Sequence, residues 1–278
     1  MCLGPNAKKT IVSRDFGVYA LAAGEAKMEI SPKQGTTTLQ LPLVNAEPVR
    51  GWLSRYFYFV MSLLLAAIVA WGFSRTINDN LFHPAVPRPF LLWIHGTAFA
   101  SWVAFFIAQS TLVRAHKVSW HRFMGWFGAG LATVMVPLGL VIAITMARFD
   151  TFQLHETGQD AFLSIPFYDM VAFGVLIALA IYWRKRPEFH RRLIFIATCG
   201  LMDAPVGRFD FLFNHNLFYL CLDLLMALGV LRDVVVDRRV HKVYLYALPV
   251  LIVGQNLAIY VWRINPSWWR SITHVIVG

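Results

Sequence analysis

From Tyr56 onward the sequence is organised as long apolar runs separated by short charged segments. The runs recur at lengths near the ~20 residues a helix needs to cross ~30 Å of hydrocarbon. In lipid every backbone N–H and C=O must find a partner within its own structure, so only helices and closed barrels can span. Strand-length alternation of apolar and polar residues is absent, which sets a barrel aside. The expected fold is an all-α, polytopic transmembrane helical bundle. Composition agrees, since 58% of the 278 residues are hydrophobic and 14% charged, too apolar for a domain that must cover its core with polar surface.

Seven runs qualify as spans, at 56–73, 90–113, 123–147, 162–183, 192–209, 216–231 and 243–262. The connecting segments 114–122 (RAHKVSWHR), 184–192 (RKRPEFHRR) and 232–242 (RDVVVDRRVHK) are strongly basic, whereas 148–161 carries several acids and 74–89 only two Arg. By the positive-inside pattern the N-terminus and the three basic loops are cytoplasmic and the C-terminus lies outside, in a membrane read as the bacterial inner membrane. The formal charge of +10 resides in these short segments and builds no extended basic domain. Nucleic acid is therefore excluded as a partner, and the bilayer is expected, with anionic phospholipid at the basic loops.

Residues 1–50 are polar and lack helical period, so they are read as a mobile N-terminal tail before a transmembrane domain at 51–278. The tail has no signal-peptide h-region or cleavage site. Met28 offers an alternative start, which leaves open whether residues 1–27 belong to the natural protein. Cys2, Cys199 and Cys221 form neither CxxC nor CxxCH, so a thiolate metal site and covalently attached haem both lack support. Gly96, Ala100, Ala104 and Ala108 place one small residue per turn on the second span, and Gly125, Ala129 and Thr133 repeat this on the third. Such stripes let helices approach closely in lipid, and both helices are expected inside the bundle.

Ionisable side chains deep in a span need a partner or a wet cavity. His95, Asp169, Asp203, Asp223, Gln255 and Asn256 come from five different spans, yet all fall roughly 7–11 Å below the outer surface at ~1.5 Å per residue. They predict an outward-facing polar cavity with Arg208 and Asp210 at its rim. Its excess of carboxylates favours a proton or a cation over an anion. Zinc or manganese is a further option, though no HExxH or HxxxH spacing accompanies it. The alternative is that these groups only hold the bundle together, at ~1 kcal/mol per interhelical hydrogen bond.

A second group lies at the cytoplasmic side. His121 and His190 share a depth and could face each other across haem b, with Arg122, Arg191 and Arg192 on the propionates. The same residue types also serve as basic anchors at a membrane surface, where Lys, Arg and His are expected whatever the chemistry. Gln109 shares a helical face with Trp102 and His95, because steps of seven return to the same side.

The order His95, Gln109, Arg114, His121-Arg122, Gly125, His190-Arg191 and Arg208 resembles a family of uncharacterised bacterial multi-pass membrane proteins of unknown function. The resemblance covers 90–208 and implies topology and candidate positions without a reaction. Seven spans with the N-terminus inside also invite comparison with the adiponectin-receptor and alkaline-ceramidase zinc hydrolases, but their paired His on the last helix is replaced here by Gln255 and Asn256. The functional expectation is therefore a membrane protein handling protons or a cation. A haem b redox protein is the alternative, and an intramembrane metal-dependent hydrolase or a ligand-free accessory subunit are minor ones.

Overall fold

A computed structural model describes residues 46–278 of the chain. The tail expected at 1–50 lies outside the described residues except at its end, where the first helix, α1, already begins at Ala46 and runs to Ser74. Among the described residues there is no strand, and helices follow one another through short connections. A π-helical turn at Asn78–Phe82 precedes α2 (Leu91–Arg114), α3 (Val118–Phe152), α4 (Gln159–Phe162) and α5 (Ser164–Tyr182). Then come α6 (Pro187–Gly200), α7 (Asp203–Val206), α8 (Asp210–Asn214), α9 (Phe218–Asp237), α10 (Lys242–Ile264) and α11 (Ser267–Val277).

Five helices are long and apolar enough to cross a membrane: Val49–Ser74, Leu91–Arg114, Val118–Phe152, Gln159–Tyr182 and Lys242–Ile264. The sequence runs 192–209 and 216–231 differ for identifiable reasons. Pro205 has no N–H to give the Leu201 carbonyl and its ring crowds that carbonyl, so α6 ends at Gly200 and a separate turn, α7, starts at Asp203. The run at 216–231 continues as helix to Asp237, taking in Arg232, Asp233 and Asp237 that the sequence pattern placed in a loop.

α2 packs on α3, α3 on α5, and α5 on both α6 and α10, with α9 against α6 and α10. α1 joins through its side chains: Phe57 meets Phe195 edge-on at 5.6 Å, and Gly72 lies so close to α7 that a Cβ there would fall 2.7 Å from Pro205 Cβ. α5 and α10 are pinned by two hydroxyls that donate to main-chain carbonyls, Tyr168 to Leu251 at 2.8 Å and Ser164 to Ala258 at 2.9 Å. Gly254 makes room for the Tyr168 ring. α11, to which the apolar pattern assigned no element, packs Trp269, Thr273 and Val277 inward and exposes Trp268, Ile272 and Val275.

The small-residue stripes do not work as expected. Ala100 and Ala104 are exposed, and a Cβ added at Gly96 or Gly125 would touch nothing within 4 Å. α2 instead meets α3 by seating the Phe105 ring over Gly128. Side-chain contacts sort the bundle into two ends. One gathers Arg50 with Val236, Arg184 with Trp126 and Arg191 with Tyr58, and so carries all three basic loops. The other gathers Arg88 with Asp150, Arg208 with Thr76 and Arg263 with Asn216.

Candidate functional site

At the end opposite the basic loops, the polar layer is built on α5, α7, α9 and α10. Asp169 is 7% exposed and accepts a hydrogen bond from the Tyr219 hydroxyl at 2.9 Å. Its other oxygen, Oδ2, meets no N–H or O–H of the protein. The neighbouring acid is Asp203 of α7. Two neighbouring carboxyls resist double ionisation, so such a pair is a place where a proton can be held. The interruption between α6 and α7 sets where Asp203 stands. A continuous helix would carry Asp203 along the α6 register, whereas the break after Gly200 sets it at the start of a new turn.

Asp223 stands one turn beyond Tyr219 on α9, and Gln255 of α10 is its polar neighbour. A cavity of about 20 Å³, lined by Tyr168, Asp169, Gly200, Leu222 and Gln255 among others, opens between these groups. That is room for about one water, which needs ~10–15 Å³ of such space. Tyr168 crosses Tyr219 edge-on at 6.2 Å, so two phenols flank the acid pair.

His95 and Arg208 share the layer but stand apart from the pair. The His95 ring lies on Phe99 with centroids 4.1 Å apart, and its buried Nδ1 has no partner in the protein. Arg208 donates to Thr76 Oγ1 at 3.0 Å and to the Ala204 carbonyl at 2.8 Å, with its guanidinium over Phe73. It makes no ion pair with Asp203 among the described residues. Asn256 turns away to bond the Ile252 carbonyl, and Asp210 is exposed. Asp203 thus neighbours Asp169 and Gln255 neighbours Asp223, while His95 and Arg208 stand at the periphery. Among the described residues no three His, Cys, Asp or Glu side chains converge on one point.

Tyr219 and Tyr168 are site residues that the sequence patterns did not single out. Their available signal was position, with Tyr168 beside Asp169 and Tyr219 one turn before Asp223 on the same helical face.

At the other end Arg192 is 1% exposed and spends all five of its N–H donors inside the protein. Nε and Nη2 grip Asp233 at 2.7 Å each, Nη2 also reaches Asp237 at 3.0 Å, and Nη1 bonds Glu188 through its carbonyl and carboxylate. Arg232 adds contacts to Asp233 and Asp237. Burial alone would raise the Glu188 carboxyl, but the hydrogen bond from Arg192 and the charges of Arg191 and Arg192 hold it below its ordinary value. Burial, followed by the Arg192 charge, pushes the His241 imidazole down. Arg192 thus has no donor free for a haem propionate. Arg191 has one contact to Glu188 at 2.5 Å and lies over Tyr58, while Arg122 is exposed.

His121 and His190 do meet, with ring centroids 6.3 Å apart and planes at 82°. Between the two polar ends, Trp102 donates to Thr198 Oγ1 at 3.3 Å. Compared with protein-family models, curated proteins and solved structures, the chain matches none.

Proposed function

We propose that this chain is a bacterial inner-membrane protein of about seven spans, with the N-terminus and basic loops inside, that binds and releases protons at the Asp169–Asp203 pair. The carrying observation is that two acids from different helices are neighbours, with Tyr219 donating to one of them. The pair sits beside a cavity of about 20 Å³ at the end opposite the basic loops, which makes the outer face its side of access. A proton suits this site better than a divalent cation, because hard cations take six or more oxygen ligands and the pair supplies two carboxyls. The break between α6 and α7 supports the same reading, since irregular backbone at membrane depth is tolerated where it lines a cavity or is covered by protein. Counting the runs at 192–209 and 216–231 as the remaining spans gives the odd number that the loop charges require. Contact of those loops with anionic headgroups, and membership of the uncharacterised family that the motif order resembles, belong to the same proposal.

The test is pH-dependent proton uptake in proteoliposomes, together with the infrared C=O stretch of a protonated carboxyl, for wild type, Asp169→Asn, Asp203→Asn, Asp223→Asn and Tyr219→Phe. Uptake and the carboxyl band should disappear in the first two variants, and Tyr219→Phe should shift the pH midpoint of uptake. Equal behaviour of all five folded proteins would reduce the layer to an adhesive between helices.

A further inference from the structure

The group at the basic-loop end carries a second site, independent of the acid pair. His121 near the start of α3 and His190 near the start of α6 face each other with centroids 6.3 Å apart. His190 Nδ1 lies 2.9 Å from the Ala180 carbonyl, which can only accept, so Nδ1 carries the hydrogen and Nε2 is the nitrogen that a neutral ring offers to a metal. This is the hydrogen bond that orients metal-ligating imidazoles. The His121 ring lies near the Gln109 main chain, and its buried Nδ1 meets no partner in the protein. Gln109 is 8% exposed, and both its amide oxygen and its amide nitrogen are buried without a partner. A buried amide left so costs on the order of 1–3 kcal/mol, which a bound group would offset.

We propose that His121 and His190 are a two-imidazole ligand pair for a transition-metal ion, with the Gln109 amide as its polar neighbour. Two nitrogens on one ion stand about 4 Å apart, at ~2.0–2.1 Å per bond. Two imidazoles on opposite sides of one ion hold their ring centroids about 6 Å apart at such bond lengths, and these two stand 6.3 Å apart. Imidazole suits iron, copper and zinc, and the absence of a third His, Cys, Asp or Glu among the described residues defines what else the ion needs. A haem iron takes its other four positions from the porphyrin, with Arg122 and Arg191 as the cations left for propionates. A bare ion takes the Gln109 oxygen and water. The shared chemistry is a metal held between two neutral imidazoles.

The experiment uses the full chain purified in detergent from cells grown with sufficient haem, copper and zinc. It reads the absorption spectrum and the metal content of wild type, His121→Gln, His190→Gln and the control His95→Ala, with size-exclusion profiles as the folding check. One haem or one ion per chain is expected, reduced about tenfold or more in either Gln variant and retained in His95→Ala. A Soret band identifies haem iron, and colourless protein with stoichiometric copper or zinc identifies the bare ion. If the Gln variants do not fold, metal-free wild type is titrated with haemin, copper or zinc, and protection of His121 and His190 from carbethoxylation is followed by mass spectrometry. Wild type that binds none of these, metal content unchanged in both Gln variants, or no protection on titration overturns the proposal.

Discussion

Arg192 of α6 holds Asp233 of α9 by two parallel hydrogen bonds of 2.7 Å, with both side chains buried. Such a fork is specific to a planar guanidinium. Removing one partner strands the other as a buried charge, which typically costs about 3–5 kcal/mol. Arg192→Met and Asp233→Leu should each lower the thermal midpoint in detergent sharply, and Arg192→Lys should not restore it. The double variant should recover much of the loss, because Arg232 and Asp237 remain paired at 2.8 Å. Additive losses in the double variant would contradict a direct pairing.

Glu188 supplies a pH dependence with a definite sign. Its folded value is depressed, so its contribution is complete above the unfolded value of about 4.3 and is lost as pH falls through the folded one. The side chain is 54% exposed, so solvent screens the effect and it is small. The difference in thermal midpoint between wild type and Glu188→Gln should hold steady from neutral pH to about 5 and shrink below about 4.3. A difference that grows on acidification contradicts the assignment.

Two glycines on neighbouring helices should respond in opposite directions. A Cβ at Gly72 would lie 2.8 Å from the main-chain carbonyl carbon of Pro205, which cannot step aside, so Gly72→Ala should destabilise by about 1–3 kcal/mol. Gly96 has nothing within 4 Å, so Gly96→Ala should be neutral or gain up to about 1 kcal/mol from helix propensity. Chemical denaturation of the two variants in the same detergent compares them directly, and equal effects would show that α1 does not rest on α7.

Membrane orientation is testable with single cysteines in a cysteine-free background. Ser119 and Ser267 are both exposed and flank opposite ends of the bundle. An impermeant maleimide added to intact cells should label Ser267→Cys and reach Ser119→Cys only after the membrane is opened. Labelling in the reverse order would invert the face assigned to the acid pair.

Helix type and the positions of five spans were legible in the sequence, because both follow from local quantities: the length of an apolar run and the charges that end it. Expected depth, from a fixed rise per residue, put Asp169 with Asp203 and His121 with His190. It could not supply rotation about the helix axis, and that decides which groups meet. His95 shares the depth of the acids but turns onto Phe99, and Arg192, read as a haem contact, turns inward to Asp233. The small-residue stripe on α2 faces away from its neighbours for the same reason. Packing chose these rotations by satisfying buried partners far apart in the chain: Trp102 with Thr198, Tyr219 with Asp169, Arg192 with Asp233. Pro205 is visible in the sequence as a break, but that Asp203 neighbours Asp169 is a property of the assembled helices.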